Sequence, residues 1–179
     1  MGESHKRGND LELRVSELIK GILVSVGDED RAEIVYHPLV IGKSTKWYPD
    51  LFLKAHALFD PPEERSLDLA IIECKYIDEA SSEGTYWSQM SRAYMSLNDM
   101  RLADITSNFY LVVTKSSRRN YLDVFKNIGV KLVNVNVQEE LSEFMSSLRQ
   151  LLEENSWDRQ LQKFKLLLQE HGSIASATK

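Results

Sequence analysis

Two charged residues, Glu73 and Lys75, follow the apolar run 69–72 and are two positions apart. If this run is a strand, both side chains point to one face of the sheet and Cys74 points to the other, into the core. Charges at the end of a buried strand are costly unless they have partners, so the pair is either a structural ion pair or part of a functional site. Glu73-Cys74-Lys75 is the one acid-x-Lys triplet in the sequence, and its place at a strand end favours a functional site.

A hairpin would bring a second carboxylate, that of Asp50, beside this pair. Residues 50–55 and 67–76 are predicted to be strands, and the segment between them contains two prolines and several charges, as a connecting loop does. The antiparallel register that joins them pairs Asp50 with Glu73, Phe52 with Ile71, Lys54 with Leu69 and Ala55 with Asp68. Two carboxylates on one face with a lysine beside them form an oxygen-rich site suited to Mg²⁺ or Mn²⁺.

Three features of the sequence together resemble the PD-(D/E)XK nuclease superfamily: Tyr48-Pro49-Asp50, then Glu73-Cys74-Lys75 after a strand, and a preceding helix that carries Glu12. The resemblance covers roughly residues 9–135. It implies a restriction-endonuclease-like fold and a metal held by Asp50, Glu73 and the backbone carbonyl of Cys74, with Lys75 orienting or deprotonating the attacking water. The implied activity is Mg²⁺-dependent hydrolysis of DNA by an endonuclease similar to archaeal Holliday-junction resolvases or type II restriction enzymes.

Two further residues have both a functional and an ordinary interpretation. Glu12 lies on the flank of an apolar helix face, where similar nucleases often place an active-site acid, but a capping box that begins at Asn9 also explains it. Gln89 resembles the glutamine that some branches of the superfamily carry after their lysine. Its spacing to Tyr94 is longer than the exonuclease-type spacing, and a surface glutamine on an amphipathic helix is the alternative.

The net charge of −5 and a sequence pI near 5.4 argue against a protein that binds nucleic acid through its overall charge. Any contact with DNA is therefore expected to be local. The candidate DNA-binding residues lie in two segments that are predicted to be loops, and solvated surface is the alternative for both: Lys43 and Lys46 in one, Lys115, Arg118 and Arg119 in the other.

Apolar periodicity predicts a single α/β domain over residues 1–179, with a core at about 9–153 and a C-terminal helix and tail at about 154–179. The predicted order is α-β-β-β-α-β-α-β-α-α, a mixed sheet flanked by helices. The predicted helices are 10–26, 85–104, 121–126, 138–153 and 157–169, and the predicted strands are 34–41, 50–55, 67–76, 109–114 and 130–135.

Other classes of protein are disfavoured. With one cysteine and scattered histidines the sequence has no zinc-site spacing, and it has no glycine-rich phosphate loop. It also lacks a signal peptide and a membrane-spanning run, so a cytoplasmic protein without membrane contacts is expected. The apolar stripe of Trp157, Leu161, Phe164 and Leu168 fits either a homodimer contact or core packing. A catalytically idle nuclease-fold module that binds DNA or a protein partner is the alternative function.

Overall fold

The structure is a computed structural model that describes residues 3–27, 29–57, 66–77, 82–115 and 119–177. The connecting loop that was predicted between the hairpin strands lies mostly outside these residues. In chain order the elements are α1 (Glu3–Val26), β1 (Ala32–Tyr36), β2 (Val40–Ile41), β3 (Lys46–Trp47), β4 (Leu51–His56), β5 (Ser66–Lys75), α2 (Glu83–Leu102), β6 (Phe109–Val113), α3 (Arg119–Asn127), β7 (Val130–Asn134), α4 (Gln138–Glu154) and α5 (Trp157–Ala177).

The predicted mixed sheet with flanking helices is confirmed. Five strands lie in the order β1-β4-β5-β6-β7, with antiparallel pairing from β1 to β5 and parallel pairing from β5 to β7. Helices α1 and α4 pack on one face of the sheet, and α2 and α3 pack on the other. The central strand β5 is covered on both sides, so Ala70, Ile71 and Ile72 have no exposed surface. This explains the continuous apolar run in the sequence.

Helix α1 is longer than predicted. It begins at Glu3, so Asn9 lies inside the helix and the predicted capping box is wrong. Residues 3–10 contain no proline and include residues that favour helix, so helical hydrogen bonding extends through this polar segment. The predicted apolar face is confirmed, because Val15, Ile19 and their neighbours at helical spacing are buried.

The predicted strand over residues 34–41 is wrong, because two strands in different sheets share this segment. Strand β1 ends at Tyr36, and His37 then adopts a left-handed backbone conformation with φ of 46°. Pro38 has no N–H to donate to a sheet, which favours a break in the ladder here. The chain continues into β2, which pairs with β3 as a separate two-stranded ribbon. The segment around Lys43, which was predicted to be a loop, is the tip of that ribbon.

Asp99 of α2 fixes the ribbon to the rest of the molecule. Its carboxylate accepts hydrogen bonds from the Ser44 N–H (2.8 Å), the Thr45 N–H (3.2 Å) and the Trp47 indole Nε1–H (2.8 Å). A Cβ atom at Gly42 would overlap this carboxylate, so the close approach requires glycine. The ribbon is therefore held against α2, and Trp47 becomes part of the wall of the cleft described below.

The register between β4 and β5 is as predicted at Phe52 and wrong after Leu53, towards the connecting loop. Phe52 pairs with Ile71, but a bulge after Leu53 pairs Lys54 with Asp68 instead of Leu69, and Ala55 with Leu67 instead of Asp68. The carbonyl of Leu69 accepts hydrogen bonds from the side chains of Thr106 and Asn108, at 2.9 and 3.1 Å. These bonds satisfy the residue that the bulge takes out of the ladder.

The tie between Asp99 and the ribbon predicts a pH-dependent indole signal. The hydrogen bond from Trp47, with those from the ribbon backbone, holds the pKa of Asp99 below its ordinary value. The ionised Asp99 carboxylate therefore stabilises the folded protein above the ordinary aspartate pKa of about 3.9, and this stabilisation is lost as pH falls through the lowered pKa. In NMR spectra, the Trp47 indole proton should shift and exchange faster below about pH 4, whereas Asp99→Asn should remove this transition. A wild-type Trp47 signal as insensitive to acid as that of the half-exposed Trp87 would contradict the assignment.

Candidate active site

The site is built on a hydrogen bond between the start of β4 and the end of β5. Asp50 immediately precedes β4, and its Oδ2 accepts the backbone N–H of Cys74 at 2.6 Å. Leu51 and Ile72 form the last backbone pair of the β4–β5 ladder at this end. The Asp50 side chain extends the contact between the two chain segments beyond that pair. Asp50 and Glu73 are both buried, with 9% and 8% of their surface exposed.

Lys75 joins the two carboxylates. Its Nζ lies 2.5 Å from Glu73 Oε1 and 3.4 Å from Asp50 Oδ2, and it donates to the Cys74 carbonyl at 3.2 Å. One ammonium group can contact both acids only if all three side chains are on the same face of the sheet. Cys74 is buried in the core on the opposite face, as the alternation predicts.

Burial and neighbouring charge shift the pKa values of this group. Burial raises the pKa of Glu73, and Lys75 offsets that rise only in part while Asp50 adds to it. Burial lowers the pKa of Lys75, but Glu73 and Asp50 outweigh this and hold the pKa above its ordinary value. The Cys74 thiol is buried beside acids, which raises its pKa well above the ordinary value. Cys74 is therefore a neutral core residue rather than a nucleophile.

Glu12 and His37 approach the same group from α1 and from the turn after β1. Glu12 Oε2 lies 3.2 Å from His37 Nε2, and the His37 backbone N–H donates to the Asp50 carbonyl at 3.1 Å. Burial, and then the charge of Asp50, raises the pKa of Glu12. Potential ligand atoms of Glu12, His37 and Asp50 all lie within 4.8 Å of one another. The sequence analysis did not select His37, because a single histidine carries no ligand spacing.

A cleft of about 840 Å³ opens over these groups, and Asp50, Glu73 and Lys75 line it together with Glu12. Its other walls come from the ribbon, from the start of α1 and from the first half of α2. Arg7 and Arg92 line these walls, and the sequence analysis assigned neither of them to the site. Only the folded chain reveals them, since α1 and α2 converge from distant parts of the sequence.

Gln89 is half-buried on α2 and also lines the cleft, while its role in catalysis stays a prediction. Its side-chain carbonyl oxygen is shielded from solvent and has no hydrogen-bond partner among the residues that the structure describes. Buried polar atoms are normally paired, so this unpaired oxygen is an exception among the described residues.

The structure separates the candidate DNA-binding residues. Lys43 and Lys46 are exposed on the ribbon, next to the wall formed by Trp47. Lys115 is exposed two residues after β6, whose last residue pairs with Lys75. Arg118 lies outside the described residues, and Arg119 begins α3 but its side chain is not described.

Comparisons with known proteins add one structural likeness. No protein-family model and no curated protein matches the chain. A crystal structure described as AF1548, a protein of unknown function, aligns with a TM-score of 0.40 and 14% identity, covering 83% of this chain and 66% of that one, just under two thirds. Among the described residues, no helix has the length and apolar character needed to cross a membrane.

Proposed function

We propose that this protein is a Mg²⁺-dependent nuclease that hydrolyses DNA phosphodiester bonds at Asp50, Glu73 and Lys75. The observation that carries the proposal is the contact of two buried carboxylates with a single lysine ammonium at the wall of an open cleft. One carboxylate lies just before β4 and the other lies in β5. A structural ion pair needs only one acid and one base. The second acid and the adjacent cleft support a catalytic centre of the PD-(D/E)XK kind.

The donor atoms fit a hard divalent cation. Asp50, Glu73 and the Cys74 carbonyl each place an oxygen atom within 3.4 Å of Lys75 Nζ, and Mg²⁺ and Mn²⁺ both accept oxygen ligands of these kinds. A divalent cation held there would supply positive charge at the scissile phosphate and lower the pKa of a coordinated water.

The contacts of Lys75 favour a role as a cation and hydrogen-bond donor. Its ammonium has three donors and faces three acceptors, on Asp50, Glu73 and Cys74, so each contact requires the protonated form. In that form Lys75 can orient the attacking water and stabilise charge that develops on the phosphate, as oriented cations do in phosphoryl transfer. Glu12 and Gln89 line the same cleft, and the Glu12 carboxylate is placed to accept a hydrogen bond from water or substrate there.

DNA is the proposed partner because positive groups surround an otherwise acidic site. Arg7 and Arg92 line the cleft, and Lys43 and Lys46 extend the positive surface along the ribbon. The second candidate function, an idle nuclease-fold module, predicts no divalent-metal affinity that depends on Asp50. Calorimetric titration of Mg²⁺ into wild type and Asp50→Asn separates the two candidates, because only a metal-dependent centre loses affinity with this carboxylate.

The catalytic role of Lys75 is tested by Lys75→Met, which keeps most of the stem volume and removes the charge. Cleavage of DNA in Mg²⁺ should fall about 10²–10⁴-fold, the scale of a lost acid–base or electrostatic group. The matched control is Lys54→Met, since Lys54 lies on β4, 3.3 Å from Asp68 in an ion pair away from the cleft. A folded Lys75→Met protein that cuts at the wild-type rate would remove Lys75 from the mechanism.

The same variant should be less stable without metal. Lys75→Met leaves Asp50 and Glu73 buried without their cation, and breaking a buried pair in this way costs about 3–5 kcal/mol of unfolding free energy. Loss of Lys75 would raise the pKa of Glu73 further, so the deficit should shrink as pH falls through that raised pKa towards the ordinary glutamate value of about 4.3. Denaturant unfolding in EDTA measures the effect. Equal stability of Lys75→Met and wild type at neutral pH would refute the buried triad.

The basic segments are tested by charge reversal. Lys43→Glu/Lys46→Glu on the ribbon, and Arg118→Glu/Arg119→Glu beyond β6, should each weaken DNA binding and reduce its dependence on salt, because fewer counterions are released. Lys163→Glu/Lys165→Glu in α5 provides a control of equal charge change on exposed residues. Fluorescence anisotropy at several salt concentrations gives both quantities. If the DNA affinity and its dependence on salt concentration match those of the α5 control, these residues belong to the ordinary solvated surface.

A further inference from the structure

The two faces of the β2–β3 ribbon differ in their surroundings. Val40 is buried and pairs with Trp47, whose indole donates to Asp99, so this face is turned towards the molecule. Side chains alternate between the faces of a strand, and the residues on either side of this pair therefore point the other way. This outer face, the platform, consists of four residues that are all exposed: Leu39, Ile41, Lys46 and Tyr48.

Tyr48 joins the platform to the cleft. It is 64% exposed and lines the cleft, and its side chain has no hydrogen bond or ring contact among the residues that the structure describes. Pro49 is buried behind it and restricts the residue before it to an extended backbone. A large aromatic ring is therefore held at the mouth of the cleft without a partner from the described part of the chain.

Aromatic residues lie close to the proposed catalytic group on both of its chain segments. Tyr48 precedes Asp50 by two residues, so their Cα atoms are at most about 7 Å apart. Tyr76 follows Lys75 directly and lines the same cleft, with the guanidinium group of Arg7 5.8 Å from the centre of its ring. A group that stacks on Tyr48 is therefore close to the catalytic carboxylates.

We infer that the platform stacks unpaired bases, with Tyr48 as its main contact, and that the substrate is therefore a single-stranded segment of DNA. The inference rests on the proposed function, because the platform opens onto the proposed catalytic centre. Aromatic rings beside basic residues are the usual means of holding single strands, since every base has a face that can stack. Inside a duplex the bases are stacked on each other, so only an unpaired base is free to meet a tyrosine.

The size and the charge of the site agree with a single strand. Asp50 and Glu73 are buried, and the cleft of about 840 Å³ above them has the volume of a pocket for a small ligand. The major groove of B-DNA alone is about 12 Å wide, so a flexible strand can bring a phosphate into this cleft more easily than a rigid duplex. The net charge of −5 gives no general attraction for DNA, whereas stacking adds affinity without added charge.

Binding to two probes with equal numbers of phosphates isolates the stacking contact. One is an oligothymidylate of about 12 nucleotides, within the usual range of site sizes, and the other is an abasic chain of the same length. Tyr48→Ala should weaken oligothymidylate binding about 5–150-fold, the effect of losing one stacked base, and should leave abasic binding nearly unchanged. Tyr48→Phe keeps the ring and should bind like wild type. Fluorescence anisotropy of the full chain in EDTA measures all these affinities.

The matched control is Trp87→Ala, which removes an exposed aromatic ring outside the cleft. Trp87 is 50% exposed and is two residues from both Thr85 and Gln89, which line the cleft, so it lies on the opposite side of α2. This variant should bind both probes like wild type. In Mg²⁺, wild type should cut a single strand faster than the paired duplex of the same sequence, and Tyr48→Ala should reduce this difference.

The other outcomes separate the platform from the nuclease. If Tyr48→Ala binds oligothymidylate like wild type, or weakens both probes equally, base stacking on Tyr48 is wrong and the nuclease proposal stands. Faster cutting of the duplex than of the single strand would overturn the substrate class. If wild type cuts no form of DNA in Mg²⁺ but Tyr48→Ala selectively weakens oligothymidylate binding, the platform stands and the nuclease proposal fails.

Discussion

The hydrogen bond from the Cys74 N–H to Asp50 Oδ2, at 2.6 Å, is the constraint on which the site depends. It fixes the register of β4 and β5 at the point where main-chain pairing gives way to side-chain contacts. A slip of one residue would turn Glu73 and Lys75 to the other face of the sheet, where Cys74 now packs in the core. The same bond keeps Asp50 within reach of the ammonium of Lys75.

Burying these charges carries a free-energy cost that their contacts must offset. Two carboxylates and an ammonium leave water at the end of a strand whose residues Ala70, Ile71 and Ile72 have no exposed surface, and such a group is tolerated only with close, directional contacts. The bulge between Leu53 and Lys54 lies in the half of the hairpin away from Asp50. Asp99 fixes the ribbon in the same way, so the wall formed by Trp47 is also held in place.

Local patterns in the sequence predicted the parts of the fold that local physics determines. The apolar run before Glu73 identified β5, and alternation placed Glu73 and Lys75 together. The sequence did not predict the bulge, since Leu69 is held by Thr106 in a loop far along the chain. The ribbon was missed for the same reason, because Asp99 supplies its contacts from 55 residues away in sequence. No spacing rule identifies His37, which reaches the site only through a left-handed turn.

The proposed function requires an order of events at Lys75. Its ammonium is fully engaged by Asp50, Glu73 and the Cys74 carbonyl, so it has no donor left for a phosphate. The chain as a whole is acidic, with a net charge of −5, and provides no general attraction for a polyanion. A divalent cation that binds the two carboxylates would compete with Lys75 for the same oxygen atoms and so release its ammonium towards the cleft. Cation binding would therefore neutralise the acids and also free the Lys75 ammonium to meet the phosphate. In this order of events, the cation binds before DNA binds productively.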